Sequence, residues 1–258
     1  MTAPAAQGAC WQVYQGDALV VLPQLVAAGL QVDLVLTDPP YSSGGAFRAD
    51  RSVDPRKKYL QTGSSNRYLP TFGGDNRDQR SQERWLSWVL ARCLELAAPG
   101  CAVAVFSDWR QVAVTLDSLQ IGGWVYRGLL PWIKRNARPQ PGRPRQSAEF
   151  VAWGSAGPFR YAGDPLAGYT IEQPPSSQRR DHVTEKPARV LEWLVGLASP
   201  GGVVLDPFAG SGSTGEAAIR SGRNAVLIER EPAYVELIAR RCQQAESEGV
   251  QQALLGGV

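Results

Sequence analysis

Short, uninterrupted apolar runs alternate with amphipathic segments along this chain. VDLVLT (32–37), CAVAVFSD (101–108), GVVLDPF (202–208) and NAVLIE (224–229) place apolar side chains on both faces of an extended backbone. That is the composition of strands buried on both sides in a parallel sheet. Helical patterns lie between them: residues 16–28 after a WQVYQ strand (11–15), then Gln82–Ala98, stopped by Pro99–Gly100. Further helices are expected at Arg110–Leu119, Pro187–Ala198, Gly212–Ser221 ended by Gly222, and Pro232 to about Glu246. GWVYRGLLPWIKR (123–135) reads as one or two strands and EFVAWG (149–154) as another. Strands joined by helices of 10 to 16 residues form βαβ units, so the fold class is α/β with a doubly wound, mainly parallel sheet.

At 258 residues the chain suits one domain spanning 1–258, and 43% hydrophobic residues are enough for a sizeable core. Two stretches lack periodicity, a long polar loop at 42–80 and a small embedded insertion at 155–181; loops of that length are commonly functional. The first nine residues and the tail after about Gly249 are expected to be disordered. No apolar run approaches a membrane span, and MTAPAAQGACWQ lacks the pattern of a signal peptide, so a cytoplasmic location is expected. The four cysteines form no CxxC pair and the single histidine is His182, which argues against zinc and against a histidine triad.

Two stretches carry the chemistry. In LVLTDPPYSSGG (34–45) a buried strand runs into Asp38, two prolines and Tyr41. Proline fixes the backbone and donates no hydrogen bond, so this turn holds a carboxylate and an aromatic ring rigidly where strand meets solvent. In VVLDPFAGSGSTG (203–215) a strand passes Asp206 and Phe208 into Gly210 and Gly212, then a helix. Glycines there permit a sharp turn and close approach of a ligand to the positive end of the helix. Glu229 ends the next strand, 19 residues after Gly210, where an acid typically takes ribose hydroxyls. The ligand should carry an adenosine, and without a lysine after the glycines this is not a phosphate-binding P-loop.

Together these stretches resemble the beta group of S-adenosylmethionine-dependent DNA amino-methyltransferases, the adenine-N6 and cytosine-N4 family. DPPY (38–41) precedes FAGSG (208–212), the permuted order of that group. HVTEKP (182–187) resembles its H-x-T-x-K-P element, GDALVVLPQL (16–25) its GD-x-L opening, and residues 130–154 its W-x-K…E stretch. The resemblance implies a Rossmann-like class I methyltransferase fold, S-adenosyl-L-methionine as cofactor, and DNA as partner. It also allows a homodimer, for which no interface is marked, and leaves any restriction nuclease unidentified.

In this reading Asp38, Pro39, Pro40 and Tyr41 are catalytic. The Asp38 carboxylate and the Pro39 carbonyl accept the hydrogens of an exocyclic amine so that its lone pair faces the methyl donor, while Tyr41 stacks on the flipped-out base. The resemblance places Asp206, Phe208, Gly210 and Gly212 around the methionine part and the turn, with Glu229 on the ribose. It offers Asp17 for the adenine amine, and Thr184 and Lys186 for the methionine carboxylate. Asp38 also borders the cofactor. Asp17 reads equally as a helix N-cap, Lys186-Pro187 as a helix opening, and His182 as a structural hydrogen-bonding residue. Lys134, Arg135, Arg138, Arg143 and Arg145 form an acid-free basic stretch, and residues 48–84 add nine Lys or Arg against five acids; both suit phosphate contacts.

An acid at the start of DPPY favours adenine N6, with cytosine N4 as the near alternative. Cytosine C5 chemistry is excluded because no Pro-Cys pair occurs. RNA or protein amide methylation is a lesser alternative; glutamine methyltransferases carry their cofactor motif first.

Overall fold

The computed structural model describes residues 3–42, 77–135, 137, 141–142, 144–159, 166–173 and 186–255. Nine strands, β1 (Ala6–Gln7), β2 (Trp11–Gln15), β3 (Val32–Thr37), β4 (Ala97–Ser107), β5 (Val125–Ile133), β6 (Ala148–Ser155), β7 (Thr170–Ile171), β8 (Val203–Asp206) and β9 (Asn224–Glu229), form one sheet. Their order is β1-β2-β9-β8-β3-β4-β6-β5-β7. The central run from β2 to β4 is parallel throughout, and among the described residues antiparallel pairs occur only at β1–β2, β4–β6 and β6–β5. Six helices are described: α1 (Ala18–Ala27), α2 (Gln79–Glu95), α3 (Val112–Ile121), α4 (Ala188–Val195), α5 (Ser213–Arg220) and α6 (Pro232–Leu255).

The apolar runs are continuous because both sheet faces are covered. Along β3, Leu34 and Leu36 join the core with α4, α5 and α6, while Val35 joins the opposite core with α1, α2 and α3. In β4, Ala102, Ala104 and Phe106 face the first layer and Val103 and Val105 the second. Side chains that alternate across a strand therefore both need to be apolar. One consequence places the site. The parallel strands β2, β9, β8, β3 and β4 all end at one edge, bringing Gly16, Glu229, Phe208, Asp38 and Asp108 into line there, where ligands of doubly wound sheets bind.

Several boundaries differ from expectation. Within the described residues 3–9 the chain is held in place: Ala6–Gln7 pairs with β2, and Glu246 Oε1 accepts from the backbone N–H groups of Ala9 and Cys10. The last helix continues to Leu255, past Gly249. Pro99–Gly100 does not stop α2; that helix ends at Glu95, and the pair lies inside β4. The helix starts at Gln79 because the Asp78 side chain accepts from Ser81 N–H at 2.9 Å, an N-cap. The 123–135 segment is a single strand, and the insertion contributes β7, paired in parallel with β5. Residues 43–76, most of the polar loop, lie outside the described residues, as do 160–165 and 174–185. Among the described residues no helix is long and apolar enough to cross a membrane.

Candidate active site

The glycine turn is built locally. Gly210 and Gly212 have φ of 52° and 85°, left-handed values that other residues adopt at a cost. A Cβ on Gly212 would lie 3.1 Å from the Ile238 Cα. The Glu229 carboxylate accepts the N–H groups of Gly210 at 2.8 Å, Arg230 at 2.8 Å and Glu231 at 2.9 Å. Burial raises its pKa and those three donors oppose the rise. A carboxylate has about four lone-pair sites, so it retains capacity for a ligand hydroxyl. The Phe208 ring lies 5.1 Å from that of Trp85, with the Arg77 guanidinium 4.0 Å above Trp85.

Asp206 sits beneath this turn, 2% exposed. It accepts from Thr37 Oγ1 at 2.7 Å and from Phe208 N–H at 3.0 Å. Burial pushes its pKa up to about 6 against those hydrogen bonds. Because Thr37 precedes Asp38, this buried acid ties the glycine turn to the other turn. Asp17 is exposed and caps α1, accepting Leu19 N–H at 2.9 Å, and Gly16 N–H reaches the Glu229 carbonyl.

The Asp38–Tyr41 turn is held from a distance. Lys186 Nζ donates to Asp38 Oδ2 at 2.5 Å and lies 3.4 Å from Glu149 Oε2. Tyr41 OH donates to Glu149 Oε2 at 3.3 Å, and Lys134 Nζ donates to Glu149 Oε1. Gln82 Nε2 donates to the Pro40 carbonyl at 2.8 Å; Ser42, at φ 52°, gives its carbonyl to Gln111 Nε2 at 2.9 Å. Burial raises Asp38, with Lys186 pulling the other way. Lys186 is raised: Asp38 and Glu149 outweigh the burial that opposes its charge. Glu149 is lowered, since its two lysines outweigh burial. Among the described residues the buried Asp38 Oδ1 has no hydrogen-bond partner, an acceptor that elsewhere would cost stability.

The structure thus brings together Asp38, Pro39, Pro40, Tyr41, Lys186, Asp206, Phe208, Gly210, Gly212 and Glu229. Thr184 and His182 lie outside the described residues, as do Arg138 and Arg143. Arg135 and Arg145 are exposed, but the Lys134 ammonium is committed to Glu149 and lies 4.9 Å from the Trp132 ring. Sequence reasoning did not single out Glu149, Gln82, Gln111, Trp85 or Arg77 for the site. Two left a signal: a lone acid within the apolar strand EFVAWG implies a buried partner, and Gln82 opens the apolar stripe of α2 that continues through Leu86, Val89, Leu90 and Cys93.

A doubly wound sheet with these two turns side by side at one edge defines the class I methyltransferase fold. Residues 32–240 match the family model described as DNA methylase, and the chain belongs to that N6/N4 family. It is 29% identical to YubD of Escherichia coli (strain K12) over 94% of this chain and 92% of that protein. Among solved structures, the M1.HpyAVI–SAM complex superposes with a TM-score of 0.66 at 24% identity, covering 90% of this chain and 98% of that one. PvuII DNA methyltransferase, cytosine-N4-specific, gives 0.68 at 17% identity over 99% and 96%. TTHA0409 of Thermus thermophilus, complexed with S-adenosyl-L-methionine, gives 0.61 at 22% identity over 91% and 95%.

Proposed function

We propose that this chain transfers a methyl group from S-adenosyl-L-methionine to the N6 amine of an adenine flipped out of DNA. The observation that carries this reading is the bare Asp38 Oδ1, a buried acceptor at the tip of a rigid turn beside a nucleotide-type glycine turn. An exocyclic amine has its lone pair delocalised into the base. Asp38 Oδ1 accepts one of its hydrogens and orients the lone pair, a contribution of several kcal/mol to lowering the barrier. Tyr41 supplies a stacking face worth about 1–3 kcal/mol.

The residues suit the methyl donor, which supplies an electrophilic methyl on a sulfonium. Glu229 has acceptor capacity for ribose hydroxyls, and Phe208 flanks the glycine turn, which lets the backbone approach the methionine part. Asp17 has acceptor capacity beyond its cap bond for the adenine amine. Thr184 remains the candidate for the methionine carboxylate. The Lys186 ammonium, set between two carboxylates, is better suited to fixing Asp38 than to holding a third. Arg135 and Arg145 are proposed phosphate contacts, with Arg138 and Arg143 of the same stretch.

The acid of DPPY favours adenine; cytosine N4 is the second reading, favoured by nothing else in the site. Purified protein incubated with unmethylated genomic DNA and labelled methyl donor, then digested to nucleosides for mass spectrometry, tests both. N6-methyladenine is the expected product. N4-methylcytosine would overturn the base assignment and leave the turn chemistry, and no labelled nucleoside would remove DNA as the substrate.

A further inference from the structure

Four alternating charges run inward from the basic stretch to the target-base turn: Lys134, Glu149, Lys186, Asp38. Lys134 follows β5, Glu149 lies in β6, Lys186 comes just before α4 and Asp38 just after β3, so only the fold assembles them. Lys186 is 7% exposed and its ammonium lies 5.2 Å from the Tyr41 ring and 5.1 Å from the Phe106 ring. A cation so enclosed needs a carboxylate partner at every stage, because breaking a buried pair leaves an uncompensated charge.

We propose that Glu149 is a positioning residue for methyl transfer, holding Lys186 and the Tyr41 hydroxyl so that the ammonium keeps a carboxylate partner while Asp38 takes up the proton of the methylated amine. The inference rests on the reading of Asp38 given above. As the nitrogen–methyl bond forms and the donor's sulfur–methyl bond breaks, the nitrogen becomes cationic and must lose a proton. Asp38 accepts it at Oδ1, becomes a neutral acid, and returns the proton to water when the base leaves. At that moment Lys186 loses its 2.5 Å partner, and Glu149 Oε2, 3.4 Å away, is in reach to replace it. Before transfer the cluster is balanced at two acids and two bases; once Asp38 is neutral, Glu149 alone faces both lysines, and of the two Lys134 is the one open to water, at 22% exposure against 7% for Lys186. Without Glu149, protonation of Asp38 would strand Lys186 and proton uptake would be opposed. Tyr41 is tied to the same Oε2 atom, so base stacking and charge compensation share one anchor.

Glu149→Gln tests this through kcat, the pH profile and a titration. Among the described residues, the other charged groups at this cluster are Asp206 of β8, coupled to Asp38, and Asp108 after β4, coupled to Tyr41, and neither is altered. The glutamine variant should lose about tenfold to a hundredfold in kcat, at or below the roughly 10²–10⁴-fold of a direct proton-transfer contribution because Glu149 acts through Asp38, with KM for both substrates within a few-fold. Removing the Glu149 charge removes an interaction that raises Asp38, so the acid limb of kcat/KM should move to lower pH. Carbon-13 NMR of aspartate-labelled protein, assigned against Asp38→Asn, should show Asp38 titrating at lower pH than in the wild type. Glu149→Asp, which keeps the charge, should return the limb toward wild type. A wild-type kcat in the glutamine variant, or a loss of rate matched by a loss of thermal stability with the acid limb and the Asp38 titration unmoved, would overturn the proposal. The NMR titration needs no DNA. Wild-type protein that leaves DNA unmethylated while Asp38 still responds to Glu149→Gln would defeat the functional reading and keep the charge coupling. An active wild type with an unresponsive Asp38 would do the reverse.

Discussion

The two turns of the site are built by opposite means. The glycine turn is assembled from its own residues and the next strand: Phe208 N–H on Asp206, and Gly210 N–H on Glu229, 19 residues on. The Asp38–Tyr41 turn takes its supports from afar: Lys186 is 148 residues away, Glu149 is 108 from Tyr41, Gln111 is 69 from Ser42 and Gln82 is 42 from Pro40. A ligand-binding turn can be stamped locally because backbone geometry suffices for it. A turn that must present one bare carboxylate oxygen needs charges and amides from several elements to hold the other atoms.

The comparison can be broken by substitution. Asp38→Ala should have the largest effect, reducing methylation by about 10³-fold or more, roughly 4 kcal/mol of barrier, with donor affinity largely kept; kcat and isothermal titration with S-adenosyl-L-methionine check it. Wild-type turnover would end the case for the turn as catalytic. Lys186→Met removes a distant support and should destabilise the protein by about 2–4 kcal/mol, below the full cost of a broken buried pair because Asp38 is partly exposed. Chemical denaturation reads this, and donor affinity should again change little if the two turns are independent.

Asp206 sharpens the comparison because it joins the turns. Its carboxyl is raised from 3.8 to about 6, so between those values the folded state binds a proton that the unfolded state does not. Stability therefore falls as pH rises through this window, by about 3 kcal/mol for a shift of about two units. Asp206→Asn should remove that slope from the wild-type difference between about pH 4 and 7 in denaturant titrations. Gly212→Ala should cost about 1–3 kcal/mol for a left-handed φ and a Cβ against Ile238, and weaken donor binding while sparing the base turn. The smallest effect expected is from Gln82→Ala, about 1 kcal/mol for one hydrogen bond to Pro40, seen as a modest loss in kcat with unchanged donor affinity.

Much of this was written locally. β3 and β9 match the runs read from the sequence residue for residue, since apolar side chains on both faces fill each strand apart from Asp33, Thr37, Asn224 and Glu229. The helix ends were less legible: α2 starts three residues before its apolar stripe because Asp78 caps it, and Pro99–Gly100, a typical helix stop, falls within β4 instead. The glycine turn, the acid that ends β9 and the rigid DPPY turn were readable because residue type and short spacing define them. Family membership followed from their order. Glu149 left a partial signal, as a lone acid in an apolar strand and the acid of the W-x-K…E stretch, but nothing near it in the chain reveals that its carboxylate meets Lys134, Lys186 and Tyr41. Lys134 looked like a free phosphate contact for the same reason. By itself the sequence determined the central strands, the two turns and the acid that ends β9, all products of local backbone preference and apolar patterning. Only the tertiary structure decided which charges neutralise one another around Asp38, because Coulomb and hydrogen-bond partners are set by distance in space and not by distance along the chain.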